Sequence, residues 1–101
     1  MYGSFTTWRI HEDHQSGKAW EQLFNDVSVL WAALSRSAGL LGGYAVRVGP
    51  DTLVALGVYG SAEAARAGEA AVEPLQTATI GRLELAARRV GPAYDVCWSR
   101  T

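Results

Sequence analysis

The chain has 101 residues, of which 49% are hydrophobic and 19% are charged. These totals predict a single folded domain over residues 1–101, with a core over 5–90 and a C-terminal tail over 91–101, and they argue against a disordered chain. The formal net charge is −1 and the charges are interspersed. This pattern predicts no strongly basic surface. We therefore expect neither nucleic acid nor an anionic membrane as a partner.

The cysteine content and the N-terminal residues predict a cytoplasmic protein. Cys97 is the only cysteine, which suits a reducing compartment and excludes an intrachain disulfide. The segment "MYGSFTTWRI" has neither the basic region nor the apolar core of a signal peptide. No apolar run reaches the ~18–20 residues that a membrane-spanning helix needs.

The first part of the chain predicts a strand, a long helix and a hairpin. Residues 5–11 alternate and are rich in β-branched and aromatic types, which is typical of a strand. Residues 18–38 repeat apolar side chains in steps of three and four, the stripe of an amphipathic helix, and Gly39 is placed to end it. The sequence "GPD" separates two strands over 40–48 and 52–60.

The second part adds a helix and a strand. Ser61 is placed to cap a helix that should break before Pro74, and residues 74–81 form either an irregular turn or a short second helix. Residues 82–90 are predicted as the fourth strand. The order β-α-β-β-α-β predicts the α+β ferredoxin-like plait, a four-stranded antiparallel sheet with both helices on one face.

The third strand, "TLVALGVYG", is apolar on both faces, although two helices cover only one face of such a sheet. Leaving the second face wet would expose an aggregation-prone patch. We therefore expect a homodimer in which two sheets pack face to face around a shared interior. The expected core face carries Val54, Leu56 and Val58 with Trp8 and Ile10. The expected shared interior carries Leu53, Ala55, Gly57 and Tyr59.

The segments "AGLLGGYAVRV" and "TLVALGVYGSAEAARAGEAA" resemble the antibiotic biosynthesis monooxygenase-like group of dimeric α/β barrel proteins. The shared pattern is a glycine-rich start of strand two, an apolar hairpin and a Ser-Ala-Glu-Ala-Ala helix opening. The resemblance implies a homodimer with a cavity in each half of the barrel. Haem-degrading members have an asparagine on strand one, a tryptophan near the end of strand three and a histidine on helix two, none of which stands here, so haem degradation is disfavoured.

Arg9 and His11 are the candidate catalytic residues. Strand alternation puts them on one face with Phe5 and Thr7, which is expected to line the barrel interior. An arginine and a histidine in an apolar cavity would bind an anion or move a proton near neutral pH. The alternative is an ion pair, between subunits or at the rim, with Glu84 as one candidate carboxylate for Arg9.

The candidate ligand-binding residues are Phe5, Thr7, Tyr59 and Tyr44. Tyr59 ends strand three where the resembled group often has an aromatic residue lining its cavity, and plain interface packing is the alternative. No metal is expected, because His11 and His14 lie in a polar loop without an evident third ligand. No cofactor is expected either.

Two functions remain open at this point. One is a cofactor-independent monooxygenase or isomerase acting on a small aromatic or polyketide-like compound, with Arg9 as anion binder and His11 as base. The other is a non-catalytic dimer that binds a small hydrophobic ligand or only supports an assembly. A fold resemblance does not by itself assign a reaction.

Overall fold

The computed structural model describes residues 1–70 and 72–94, with the backbone alone for residues 34–38. The element order confirms the predicted plait. The elements are β1 (Tyr2–Ile10), a single 3₁₀ turn (Glu12–His14), α1 (Gly17–Ala38), β2 (Leu40–Arg47), β3 (Thr52–Tyr59), α2 (Ala62–Glu69), α3 (Val72–Ala78) and β4 (Leu83–Pro92). Every neighbouring pair of strands is antiparallel, in the order β2-β3-β1-β4.

The ends of the elements differ from the prediction by more than one residue at three places. β1 begins at Tyr2 because its first residues pair with β3 on one side and β4 on the other, which outweighs the weak local signal of Gly3 and Ser4. β4 runs on to Pro92 for the same reason. The helix break comes before Val72, so Pro74 lies in the first turn of α3, where a missing N–H costs nothing.

Two capping predictions are confirmed. The Ser61 hydroxyl accepts a hydrogen bond from the Ala64 N–H at 3.1 Å at the start of α2. Gly39 ends α1 with φ +78°, a left-handed conformation that favours glycine. The predicted tail over 91–101 is described only as far as Tyr94, so Cys97 lies outside the described residues.

The faces of β3 are the reverse of the prediction. Trp8 of β1 lies directly opposite Leu53, and residues directly opposite in an antiparallel pair share a face. Burial of Trp8 under the helices therefore brings Leu53, Ala55, Gly57 and Tyr59 to the helix side. Leu53 is 4% exposed and Tyr59 5%, whereas Leu56 is 37% exposed. Val54, Leu56 and Val58 thus belong to the open face.

The core consists of two clusters at opposite ends of the helix side. One cluster contains Trp8, Ile10, Leu23, Leu53 and Leu83. The other contains Tyr59 and Ala65, with Tyr2 and Leu40 packed against them. None of the helices in the part of the chain that the structure describes is long and apolar enough to cross a membrane.

Candidate ligand-binding cavity

A cavity of about 380 Å³ lies between the sheet and the helices, and residues of both core clusters form its walls. Small side chains from three adjacent strands form its floor. Ser4 of β1 lies opposite Gly57 of β3, which lies opposite Gly43 of β2. The next row along the strands consists of Thr6, Ala55 and Ala45.

Larger residues bound this floor at both ends. Trp8 and Leu53 form the row at one end, and Tyr59 and Leu40 form the row at the other. Two rows of small residues between two rows of large ones leave unfilled space under the helices. The cavity therefore follows directly from side-chain volume along the sheet.

The Tyr59 ring packs over Gly57, which is part of the cavity floor. A Cβ atom at Gly57 would lie 3.3 Å from Tyr59 Cε2 and 3.6 Å from its hydroxyl. On the other side, a Cβ atom at Gly68 of α2 would overlap the tyrosine ring. Because Gly57 and Gly68 have no side chains, the Tyr59 ring has room to pack at this end of the cavity.

α1 supplies most of the roof, through Phe24, Val27, Ser28 and Trp31. A Cβ atom at Gly43 would lie 2.8 Å from the Trp31 ring, so the glycine lets this tryptophan pack closely on β2. The remaining wall residues come from α1 and from the elements after β3: Ala32, Gly68, Val72, Leu75 and Leu83.

The polar groups of the cavity are hydroxyls: Ser4, Thr6, Ser28 and Tyr59. The Trp8 indole N–H donates a hydrogen bond of 2.8 Å to Thr6 Oγ1. Burial raises the pKa of the Tyr59 phenol above its ordinary value of 10.0, so this hydroxyl stays protonated at neutral pH. No described residue of the lining carries a charge.

The predicted site residues fall into two groups. Tyr59 lines the cavity. Phe5, Thr7 and Tyr44 lie on the opposite, open face, where Phe5 pairs with Leu56 and Tyr44 pairs with the same leucine from the other side. Of the four predicted ligand-binding residues, the cavity therefore contains only Tyr59, and the other three lie on the open face.

Arg9 and His11 share a surface groove near the start of β4, outside the cavity. Arg9 lies opposite Glu84, and among the described residues no ion pair joins them. His11 Nδ1 accepts a hydrogen bond from the Asp13 N–H at 3.3 Å, and its ring lies 6.3 Å from that of His14. The roles predicted for Arg9 and His11 stay predictions.

Sequence reasoning missed Ser4, Thr6 and Gly43 as cavity residues. The sequence signal for these residues is weak. They are small residues at alternate positions of separate strands, and only the strand register shows that they lie side by side. Ala55 and Gly57 were expected in the shared interior between subunits, on the other side of the sheet from the cavity that they line.

The open face exposes a continuous apolar surface. It carries Phe5, Val54, Leu56 and Val58 in the centre and Tyr44 and Val46 on β2. Tyr44 is 72% exposed in the single chain. Contiguous exposed apolar patches on a soluble protein often mark a surface that binds a partner.

No protein-family model matches the chain, and no functionally curated protein matches it. Solved structures do match. SnoaB, a cofactor-independent oxygenase from Streptomyces nogalater, is 18% identical with a TM-score of 0.64, covering 94% of this chain and 95% of its own. A candidate antibiotic biosynthesis monooxygenase from Chloroflexus aurantiacus is 16% identical with a TM-score of 0.64, covering 96% of each chain.

A dimeric ferredoxin-like protein from an uncultured marine organism matches with a TM-score of 0.69. It is 13% identical, and the match covers 98% of this chain and 100% of that one. At these identities the likeness concerns the fold. The chain therefore has the fold of the antibiotic biosynthesis monooxygenase-like dimeric α/β barrel proteins, as the resemblance in its sequence implied.

Proposed function

We propose that the chain forms a homodimer through its open sheet face and binds a small aromatic molecule in the cavity of each protomer. We further propose that it acts on this molecule as a cofactor-independent monooxygenase. The observation that carries the proposal is the cavity of about 380 Å³, with aromatic and aliphatic walls and a few hydroxyls. Pockets of this volume and chemistry are typical small-molecule sites. The structural likeness to SnoaB supports the choice of reaction class.

The proposed reaction uses the substrate's own electrons. An activated methylene group between aromatic rings reacts with O₂, one oxygen atom becomes a carbonyl, and the other leaves as water with the two hydrogens. The cavity would contribute binding, exclusion of bulk water and a hydrogen-bond donor at the developing oxyanion. The protonated Tyr59 hydroxyl suits this last role.

A non-catalytic ligand-binding dimer is the second candidate. It is favoured by the lack of a histidine, carboxylate or lysine among the described residues of the lining, because general-base catalysis most often uses one of these side chains. Arg9 and His11 lie on or near the open face, so they would act on a ligand only in the shared interior of a dimer. Loss of turnover in Arg9→Ala with the dimer intact would support that role.

The binding proposal is tested by filling the cavity. Ala55 lies in the middle of the floor, and Ala55→Leu places three further carbon atoms in the cavity. We expect wild type to bind fluorene, a flat apolar probe, and Ala55→Leu to bind it at least about tenfold more weakly, measured by equilibrium dialysis. Ala67→Leu, on the exposed side of α2, is the matched control and should bind like wild type.

Equal binding of fluorene by both variants would contradict the proposal. Oxygen uptake then separates the two candidate functions. A monooxygenase consumes one O₂ for each carbonyl formed from an aromatic compound with an activated methylene group, such as an anthrone. A binding module takes up the same compound, and oxygen is consumed no faster than in buffer.

A further inference from the structure

The cavity opens to solvent between α1 and β2. Among the described residues of its lining, the exposed ones all belong to these two elements: Phe24, Ser28 and Ala32 of α1, and Gly43 and Ala45 of β2. The lining residues from the other strands and helices are buried or half-buried. β2 is an edge strand of the sheet, so no other described strand covers this side. The opening therefore lies along the β2 edge of the sheet, beneath α1.

Phe24 has the largest side chain on the exposed border of the cavity. It is 43% exposed, although it also lines the cavity. The other exposed lining residues are a serine, two alanines and a glycine, whose side chains are too small to obstruct the opening. A phenylalanine that contacts both solvent and the cavity lies at the boundary between them, so a molecule that enters on this side must pass its ring.

The Trp20 ring supports Phe24 at the opening. The two residues lie one turn apart on α1, and their rings stack with centroids 5.5 Å apart and planes at 30°. The same tryptophan ring contacts the Arg47 guanidinium, whose Cζ atom lies 4.3 Å from the ring centroid. The stack with Trp20 thus restricts the side-chain conformations that Phe24 can adopt.

Arg47 is itself held by backbone carbonyl groups. Its Nη2 atom donates a hydrogen bond of 2.7 Å to the Pro50 carbonyl and another to the Gln15 carbonyl. Pro50 belongs to the turn between β2 and β3, and Gln15 comes shortly before α1. Through Trp20 and Arg47, the position of Phe24 therefore depends on two separate backbone segments.

We infer that a molecule enters the cavity between α1 and β2, and that Phe24, positioned by Trp20 and Arg47, limits the rate of entry and the thickness of the molecule that passes. The inference rests on the proposed function, because it concerns access to the same cavity. A residue at an entrance slows passage in both directions, whereas a residue that only contacts the bound molecule changes its release. The association rate constant therefore distinguishes the two roles.

The test is stopped-flow fluorescence of fluorene binding to the full chain. Phe24→Ala should raise the association rate constant at least about fivefold over wild type, because the ring no longer obstructs the opening. Val29→Ala is the matched control and should leave the rate constant unchanged, since Val29 is exposed on the same helix and is not a lining residue. Dimethylfluorene, whose methyl groups project from the ring plane, should associate more slowly than fluorene with wild type and at a similar rate with Phe24→Ala.

Arg47→Met tests the positioning role of the arginine. It removes the hydrogen bonds to both carbonyls and the charge over Trp20 at similar side-chain length. Phe24 is then less restricted, and fluorene should associate about two- to fivefold faster, the value of one exposed cation–π contact. In the Phe24→Ala background the same substitution should have no further effect, because the residue that Arg47 positions is gone. An equal effect in both backgrounds would show that Arg47 does not act through Phe24.

An unchanged association rate constant in Phe24→Ala, with fluorene still bound at equilibrium, would overturn the inference and leave the proposed cavity standing. Equal association of the two probes with wild type would have the same consequence, and this comparison decides the inference even if Phe24→Ala does not fold. Failure of wild type to bind fluorene in equilibrium dialysis would overturn the proposed function itself.

Discussion

Gly68 and Tyr59 show how one missing side chain shapes the cavity. The glycine is buried in α2, and a Cβ atom there would overlap the ring that closes this end of the cavity. Alanine would stabilise the helix itself by roughly 1 kcal/mol, because it restricts the unfolded chain and exposes less backbone. Overpacking in a buried contact costs about 1–3 kcal/mol, so the two effects oppose each other.

We predict that Gly68→Ala pushes the Tyr59 ring into the cavity. The variant should lose at least about threefold in fluorene affinity, while its free energy of unfolding changes by no more than about 2 kcal/mol. Chemical denaturation and equilibrium dialysis measure the two quantities. Gly91→Ala is the control, because a Cβ atom there meets nothing within 4 Å. Unchanged ligand affinity in Gly68→Ala would mean that Tyr59 does not close the cavity.

At the scale of elements, one ion pair ties α1 to the start of β4. Arg82 donates to Asp26 Oδ2 at 2.8 Å and to the Ala78 carbonyl at 2.9 Å. Gln22, one turn earlier on α1, donates to Asp26 Oδ1 at 2.8 Å. The hydrogen bond from Arg82, and then that from Gln22, holds the pKa of Asp26 below its ordinary value of 3.8. The carboxylate form is therefore the one that the fold favours.

The lowered pKa predicts how stability changes with acid. A carboxyl group whose pKa is lower in the folded chain contributes stability above its unfolded pKa and loses that contribution as the pH falls through the folded value. The difference in Tm between wild type and Asp26→Asn should therefore be constant from pH 7 to about 5 and vanish towards pH 2. Glu21→Gln, an exposed change on the same helix, is the control and should leave the Tm near that of wild type throughout. A difference that persists at pH 2 would contradict the ion pair as its source.

The elements themselves were largely predictable from local pattern. The α1 stripe, the "GPD" hairpin and the caps at Gly39 and Ser61 depend on residues close in sequence, and each was correct within a residue or two. The extra residues of β1 and β4 depend on cross-strand pairing, which a local pattern does not contain. The short second helix offered for residues 74–81 is present as α3, but it begins two residues earlier than predicted, because proline is tolerated in a first turn.

At the scale of the whole molecule, the sequence showed that both faces of β3 are apolar, but it did not show which face lies under the helices. β3 carries no polar residue between Leu53 and Tyr59 to mark its outer side, so alternation alone allows both assignments. The register with Trp8 decides between them. The candidate cavity was displaced by the same error, since Ala55 and Gly57 were assigned to the interior between subunits rather than to the floor beneath the helices.

The open face gives the last prediction. Leu56 lies near its centre, between Phe5 on β1 and Tyr44 on β2, and a lysine there would place a charge inside the proposed interface. Burying an unpaired charge costs several kcal/mol, so Leu56→Lys should weaken dimerisation by at least about a hundredfold. Light scattering at micromolar concentration should give about twice the 10.9 kDa chain mass for wild type and the single mass for this variant. Val29→Lys, on an α1 residue that is 63% exposed, makes the same chemical change away from the sheet and should remain dimeric. A dimer that survives Leu56→Lys would place the interface elsewhere, and a monomeric wild type would leave the apolar face without the partner proposed for it.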